Sequence, residues 1–408
     1  MALASARCRS LLCLMLYFVL YLIVTWSAIT MLTWSLFPGA PIVVAFVAIC
    51  SAAPIFIFIT RRSWTFYPVA LFRLLVIRPV LYVQLLLPLV TTAGIIGAVV
   101  GVPFGSTLYI ARLVAGNVFL ICALLLVLGI FGSRLLVVRN VEAFVENLPV
   151  EFDGTTLAQL SDLHIGPQTS KRFLKRVAET VRALKPDIIA VTGDLIDDRP
   201  EDVNDYAESL GDMHAPLGVY VVPGNHEVYA GWNAVRNGLR TKNLGNILVN
   251  DSSLLRIGAA TIAIVGTGDP AGGMRGAGAN VAPDLDQAFA KVPANTITIA
   301  LAHNPGLWVA IQQRGVALTL SGHTHWGQFS IPAVNWSFAS PWLKHSMGAY
   351  HEGKSLLYIS PGTGFWGVPF RLGAWPEITL FTLRQSTETS IVAGKPFRAR
   401  TLLNKQNG

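Results

Sequence analysis

Five short motifs in the second half of this 408-residue chain carry side chains that could do chemistry. They are Asp162-Leu163-His164, Gly193-Asp194-Leu195-Ile196-Asp197, Gly224-Asn225-His226-Glu227, the lone His303, and Gly322-His323-Thr324-His325. Asp162, His164, Asp194, Asn225, His226, His303, His323 and His325 are the candidate metal-site residues. Imidazole, carboxylate and amide donors without a thiolate suit Mn, Fe or Zn. Two such cations about 3.5–4 Å apart, sharing one carboxylate, can hold a hydroxide as nucleophile at neutral pH, which is the requirement of phosphoester hydrolysis. They also neutralise charge growing on the phosphoryl oxygens. Asn225 is neutral and keeps such a site from overcharging. Each motif alone is weak, because a D-x-H recurs by chance and a G-D-x-x-D is often a turn with two solvated acids. The ordered set carries the weight.

The elements around these motifs alternate between β and α patterns. Thr156–Leu160 is expected as a strand ending just before Asp162. Ser170 is placed to cap a helix reaching about Leu184, with Phe173, Leu174, Val177, Val181 and Leu184 on one face and Pro186 as its stop. Further strands are expected at Ile188–Thr192, Val219–Val222, near Ile247–Val249, Leu254–Ile257, Thr261–Val265, Thr296–Leu301, Ala317–Leu320, Leu356–Ile359 and Ile378–Thr382. Weaker helical patterns cover Val203–Gly211 and Pro305–Gln313. Each motif falls just past the end of an apolar β-run, and the carboxyl ends of strands are where α/β sheets bind ligands. Distant motifs can therefore converge on one rim.

On these residues the chain resembles the calcineurin-like metallophosphoesterases, and most closely their membrane-anchored branch, over about residues 148–385. The stretch Gln159-Leu160-Ser161-Asp162-Leu163-His164-Ile165-Gly166 is particularly similar. The resemblance implies an α/β fold: a four-layer α/β/β/α sandwich preceded by an all-α transmembrane bundle. It implies that Asp162, His164, Asp194 and His325 hold one divalent cation, and that Asp194 bridges to a second completed by Asn225, His303 and His323. His226 would be a non-ligand that contacts the phosphate and assists the leaving group, which makes His226 and Asp194 the catalytic pair. Asn225, His226 and Arg371 are the candidate substrate contacts; a structural ion pair of Arg371 with Glu377 is the competing expectation. Trp326 departs from the glycine frequent in that branch. Asp197 and Glu227 are expected either to orient a neighbour or to serve as ordinary turn acids. The glycine-rich stretch 266–278 has no G-x-x-x-x-G-K-[ST] pattern, which excludes a P-loop and leaves a rim loop.

The first part of the chain decides where that chemistry sits. Residues 1–134 contain no Asp, Glu or Lys; their charges are Arg7, Arg9, Arg61, Arg62, Arg73, Arg78, Arg112 and Arg134. The formal net charge of +8 therefore belongs to this part, and the neutral remainder gives no sign of a nucleic-acid surface. Four runs approach the roughly 20 apolar residues a membrane span needs: Leu11–Leu36, Ile42–Ile59, Val80–Val102 and Leu113–Phe131. With four spans, arginines concentrate on the side that carries the catalytic part, which predicts a multi-pass protein with a cytoplasmic catalytic domain. An interfacial segment is expected at Arg61–Arg78. Gly97 and Gly101 are expected to pack helices closely within the bundle, and Gln84 and Asn117 to make hydrogen bonds between helices. Uncharged spans argue against an ion-coupled transporter. Cys8, Cys13, Cys50 and Cys122 all lie in this part and imply no disulfide framework.

The expected organisation is a transmembrane domain of about four helices over 1–134, a linker over 135–155, the metallophosphoesterase domain over 156–385, and a tail over 386–408. Six of the ten tryptophans fall between Trp308 and Trp375. They are expected to pack loops over the sheet edge, with a membrane-interface role for some of them as the alternative. The expected function is a membrane-anchored, dinuclear metal-dependent phosphoesterase. Its substrate would be a phosphodiester, pyrophosphate or phosphomonoester, with lipid-linked phosphates among the candidates. The first two are favoured because the resemblance extends to lipid-precursor pyrophosphatases. A non-catalytic metal-binding scaffold on a membrane anchor is the alternative.

Overall fold

The computed structural model describes residues 73–274 and 281–406, with scattered residues between 30 and 71. The chain divides into two compact units, Met1–Val127 and Leu128–Gly408.

In the first unit the described chain is helical. Arg73–Phe104 and Thr107–Gly132 are long and apolar enough to cross a membrane, and the second of them runs on into the other unit. Pro79 lies in the first turn of Arg78–Gly101, where a missing N–H costs nothing. Gly105, at φ 62°, makes the tight connection between the helices. A Cβ built on Gly97 would lie 2.9 Å from the Ile110 oxygen and 3.0 Å from the Ala111 Cα, so this glycine lets the two helices touch. Asn117 donates to the Leu113 carbonyl at 2.7 Å, one turn back in its own helix rather than across to another. These helices cover the third and fourth expected spans; most of the first two spans and of the arginine-rich stretch after them lies outside the described residues.

The second unit is built on two mixed sheets. The first contains β1 (Val137–Glu146), β2 (Thr156–Leu160), β3 (Ile188–Thr192), β4 (Val219–Val222), β5 (Asn246–Ile247), β14 (Glu377–Ser386), β15 (Ser390–Ala393) and β16 (Phe397–Arg398). Its order is β15-β1-β14-β2-β3-β4-β5, with β16 beside β1. The second contains β6 (Asp251–Ile257), β7 (Ala260–Gly266), β8 (Thr298–Leu301), β9 (Leu318–Ser321), β12 (Gly348–Glu352) and β13 (Ser355–Ile359), in the order β12-β13-β9-β8-β7-β6. A small pair, β10 (Ser330–Ile331) and β11 (Trp336–Ser337), stands apart.

Alternation along the strands assigns the faces. Leu157, Ile188, Ala190 and Val222 of the first sheet meet Ile264, Leu301, Leu318 and Leu356 of the second in one buried core. The opposite face of the first sheet, with Leu160, Ile189, Val191 and Val221, is covered by helices carrying Phe173, Leu174, Val177, Tyr206, Trp232 and Leu239. Ala300 and Ala302 on the outer side of the second sheet meet Ile311 and Val316. The result is the four-layer α/β/β/α sandwich.

Two expected boundaries are corrected. The stretch expected as a linker forms β1, which pairs with β14 in parallel from Val137↔Glu377 to Glu146↔Ser386. Buried Val141, Ala143 and Val145 alternate with partly exposed Glu142, Phe144 and Glu146, a period-two pattern hidden behind two apolar spans. The expected tail is also part of the fold: β15 pairs antiparallel with β1, and Ala399, opening the helix Ala399–Gln406, is buried in the helix-side core. The helix Trp232–Thr241 was not expected either. Its apolar positions Trp232, Val235 and Leu239 are three and four apart, a signal short enough to miss.

Candidate metal centre

The carboxyl ends of β2, β3, β4, β8 and β9 deliver the motifs to one rim. Backbone bonds fix the loops to one another. Asp162 N–H donates to the Gly193 carbonyl, His164 N–H to that of Asp194, and Gly322 N–H to that of His303, each at 3.0 Å. The side chains add to this frame, since the Asp162 Oδ1 accepts the His323 N–H at 2.9 Å and the Asp194 Oδ1 accepts the His226 N–H at 2.9 Å. Glycines precede the ligand positions for steric reasons. A Cβ on Gly224 would lie 2.2 Å from the Asp194 Oδ1, and one on Gly322 2.2 Å from the Asp162 Oδ2.

Asp162, His164, Asp194, His323 and His325 all have positive φ, between 43° and 69°. Such a conformation is strained for side chains larger than glycine and persists where surrounding bonds over-determine it.

The donor atoms form two groups that share one oxygen. In the first, the His164 Nε2 and His325 Nε2 stand 3.0 Å apart, and the His325 Nε2 is 3.4 Å from the Asp162 Oδ1. In the second, the His323 Nδ1 and His303 Nε2 are 3.2 Å apart and lie 2.8 and 3.2 Å from the Asn225 Oδ1. The Asp194 Oδ2 is 3.6 Å from the His164 Nε2 and 3.2 Å from the His303 Nε2. All seven expected ligand positions are thus brought together.

These groups fit divalent cations. The Asp162 Oδ2 is buried and accepts no hydrogen bond, a costly state for a carboxylate unless a cation faces it. Burial, opposed by His303 and reinforced by the charge of Asp194, pushes the Asp162 carboxyl up. Burial also opposes ionisation of Asp194, but His303, His164 and His226 hold it well below the usual carboxylate range. Burial and the neighbouring His303 push His323 down to about 4, which leaves it a neutral donor at pH 7.

His226 lies beside this set. Its Nδ1 hydrogen-bonds the Asp197 carbonyl, which fixes a proton on that nitrogen because a carbonyl only accepts. Its ring stands edge-on to His164 at 4.5 Å. Burial opposes protonation, yet Asp198 and Asp194 raise it to about 9. Asp197 also places its Oδ1 3.4 Å from the His164 Nδ1, a close approach of opposite polarity without a hydrogen bond.

Arg371 is corrected as a substrate contact. It is 0% exposed, and its guanidinium is surrounded by the His325, Gly364 and Pro361 carbonyls and the His325 Nδ1. Nor does it pair with Glu377, which binds Arg139 at 2.8 Å. The tryptophans divide: Trp308 and Trp326 are buried and pack together, whereas Trp342 is 70% and Trp366 55% exposed.

A family model of the calcineurin-like phosphoesterases matches residues 155–327. The chain is 34% identical over 248 residues to an uncharacterised metallophosphoesterase of Campylobacter jejuni, covering 60% of this chain and 63% of that protein. It is 32% identical over 259 residues to a transmembrane protein with metallophosphoesterase domain from Danio rerio, covering 61% and 57%. It is 30% identical over 255 residues to the uncharacterised metallophosphoesterase YkuE of Bacillus subtilis, covering 59% and 82%. The chain belongs to the calcineurin-like phosphoesterase family. It spans less than two thirds of the length of the first two relatives.

Beyond the motif side chains, this calcineurin-like chain uses residues to which its sequence assigned no role. Gln159, buried in β2, donates to the Thr192 hydroxyl at 2.9 Å and to the Ser321 carbonyl at 3.0 Å, so it pins the two sheets together beneath the rim. Its signals are an amide inside a largely apolar strand and its place at the head of the stretch Gln159–Gly166. Thr363 and Gly364 donate their N–H groups to the carbonyls of Ser161 and Asp162 at 2.7 and 2.9 Å and support the first motif from a distant loop. No local pattern marks that loop as part of the site.

Proposed function

We propose that this protein is a metal-dependent phosphoesterase whose catalytic domain is held at a membrane by its apolar helices. One observation carries the reading: a single oxygen, Asp194 Oδ2, is shared by two groups of nitrogen and oxygen donors. When bound, two divalent cations there supply an activated water at neutral pH and offset charge on the phosphoryl oxygens. Asp162, His164, Asp194 and His325 would hold one cation; Asp194, Asn225, His303 and His323 would hold the other. His226, its ring fixed through Asp197, would donate a proton to the leaving oxygen.

The test uses the full chain freed of metal, reloaded with Mn²⁺, and assayed on a chromogenic phosphodiester beside a monoester. Turnover that depends on Mn²⁺ and vanishes in Asp194→Asn supports the reading. Turnover persisting in that variant removes the mechanism, and none under several cations favours a metal-binding scaffold.

Membrane attachment is supported by the two apolar helices, and a cytoplasmic catalytic side by the arginine asymmetry. Protection of the catalytic domain from added protease in sealed, right-side-out vesicles would agree; full digestion would reverse the orientation. A lipid-linked phosphoester is favoured among substrates by exposed Trp342 and Trp366, the former edge-on to exposed Phe338 at 5.4 Å. Substituting both tryptophans should impair a lipid phosphoester more than a soluble one, and equal losses would remove this preference.

A further inference from the structure

The last turn of the helix Thr107–Gly132 folds with the catalytic unit, which begins at Leu128. That turn is received by the segment around Arg371. The Arg371 N–H donates to the Gly129 carbonyl at 2.9 Å. A Cβ built on Gly129 would lie 2.2 Å from the Phe370 ring, and one on Gly132 would lie 2.1 Å from the Arg371 carbonyl oxygen and 2.5 Å from the Trp375 ring. Both glycines are therefore seats for this segment.

The other end of the same residue reaches the metal-site loops. The Arg371 Nη2 meets the His325 Nδ1 at 2.7 Å, and Nη1 donates to the His325 carbonyl at 3.0 Å and to the Pro361 carbonyl at 2.5 Å. Nε and Nη2 donate to the Gly364 carbonyl at 3.1 and 2.5 Å. A guanidinium only donates, so the lone pair of the His325 Nδ1 faces Arg371. The ring's Nε2 edge is thereby turned towards His164 and Asp162. A fork with five donors in fixed geometry sets backbone and ring together, which a lysine could not do.

We infer that Arg371 is a positioning residue that ties His325 to the end of the membrane-directed helix, so that the seating of that helix sets the affinity for one of the two cations. This rests on the reading of the centre as a two-cation site. The cation affected is the one held by Asp162, His164 and His325; the one held by Asn225, His303 and His323 has no such link among the described residues. Partners behind a ligand typically change metal affinity by about 10–100-fold.

The experiment measures Mn²⁺ stoichiometry and the two binding constants by calorimetry on the full-length protein in nanodiscs, with electron paramagnetic resonance reporting the coupled Mn pair. Gly132→Ala is the remote lever, because its new Cβ meets backbone. Gly116→Ala, in the same helix, meets nothing within 4 Å and is the control. Arg371→Met removes the fork itself. The expected result is that Gly132→Ala weakens one cation by about tenfold or more, leaves the other within about twofold, and converts the coupled Mn signal to a mononuclear one. Arg371→Met should do the same, the double variant should be no worse than Arg371→Met alone, and Gly116→Ala should match the parent. Thermal melting verifies that each variant is folded; a Gly132→Ala protein too unstable to test is replaced by Gly129→Ala, which pushes on the Phe370 ring. The inference is overturned if the glycine variants leave both constants unchanged while Arg371→Met shifts one, or if both cations weaken equally. A parent protein that binds no cation would instead remove the two-cation reading itself.

Discussion

Glu227 holds the backbone of Asp194. The Glu227 Oε2 accepts the Asp194 N–H at 2.9 Å and the Gly224 N–H at 2.7 Å, while its Oε1 accepts those of Leu195 and Ile196 at 2.7 and 3.0 Å. One carboxylate thus fastens two motifs and fixes the strained turn that aims the shared oxygen. Burial pushes the Glu227 carboxyl up and the charge of Asp194 adds to this, whereas the N–H donors of Ile196 and Gly224 favour the charged form.

Glu227→Gln keeps the shape but turns an NH₂ towards N–H groups. Losing charge-assisted bonds at a buried site should cost about 2–3 kcal/mol. Melting temperature should fall, and Mn²⁺ content should drop although no ligand is altered. A variant with the parent's melting point and metal content would reduce Glu227 to an ordinary turn acid.

The sequence exposed the site better than it exposed the fold. Strand-end positions and glycine-flanked ligands are local, so Asp162, Asp194, His303 and His323 could be placed on one rim from the alternation of elements alone. The roles of Arg371 and Glu227 depend on contacts across 46 and 33 residues, which no spacing encodes. β1 was hidden for a different reason: it begins five residues after the helix ending at Gly132, and a strand inserted between β14 and β15 has no neighbour in sequence to announce it.

That insertion predicts where the chain can be cut. β1 covers the edge of β14 along its full length and carries β15 and β16 on its other side. A chain beginning at residue 156, as the motifs alone would recommend, should aggregate, with β14 left as an exposed edge. One beginning at residue 128 should remain monomeric in size-exclusion chromatography. Equal solubility of the two would mean that β1 is dispensable.

Arg139 and Glu377 join β1 to β14 through a nearly buried ion pair at 2.8 Å, and the Tyr358 hydroxyl and Thr379 hydroxyl donate to the same carboxylate at 2.6 and 2.9 Å. Arg139→Met leaves that carboxylate without its cation and should cost about 3–5 kcal/mol. Replacing Arg139 and Glu377 together by apolar residues should cost less than the single change. Chemical denaturation of both variants measures this, and a double variant no more stable than the single one would place the loss in packing rather than in the stranded charge.

Metal removal should act on stability as well as on turnover. A ligand that binds the folded form alone stabilises it by about 2.7 kcal/mol at a hundredfold excess over its dissociation constant. Chelation should therefore lower the melting temperature by roughly 5–10 °C for a domain of this size. The ligand residues divide the effect. His164→Ala should abolish the stabilisation from one cation and His303→Ala that from the other, each retaining one equivalent of Mn²⁺. Asp194→Asn should weaken both, because its oxygen lies 3.6 Å from one histidine nitrogen and 3.2 Å from the other. Metal analysis beside differential scanning fluorimetry reads both quantities on the same sample. Two equivalents retained in Asp194→Asn, with an unchanged response to chelator, would mean that the two donor groups do not share their aspartate.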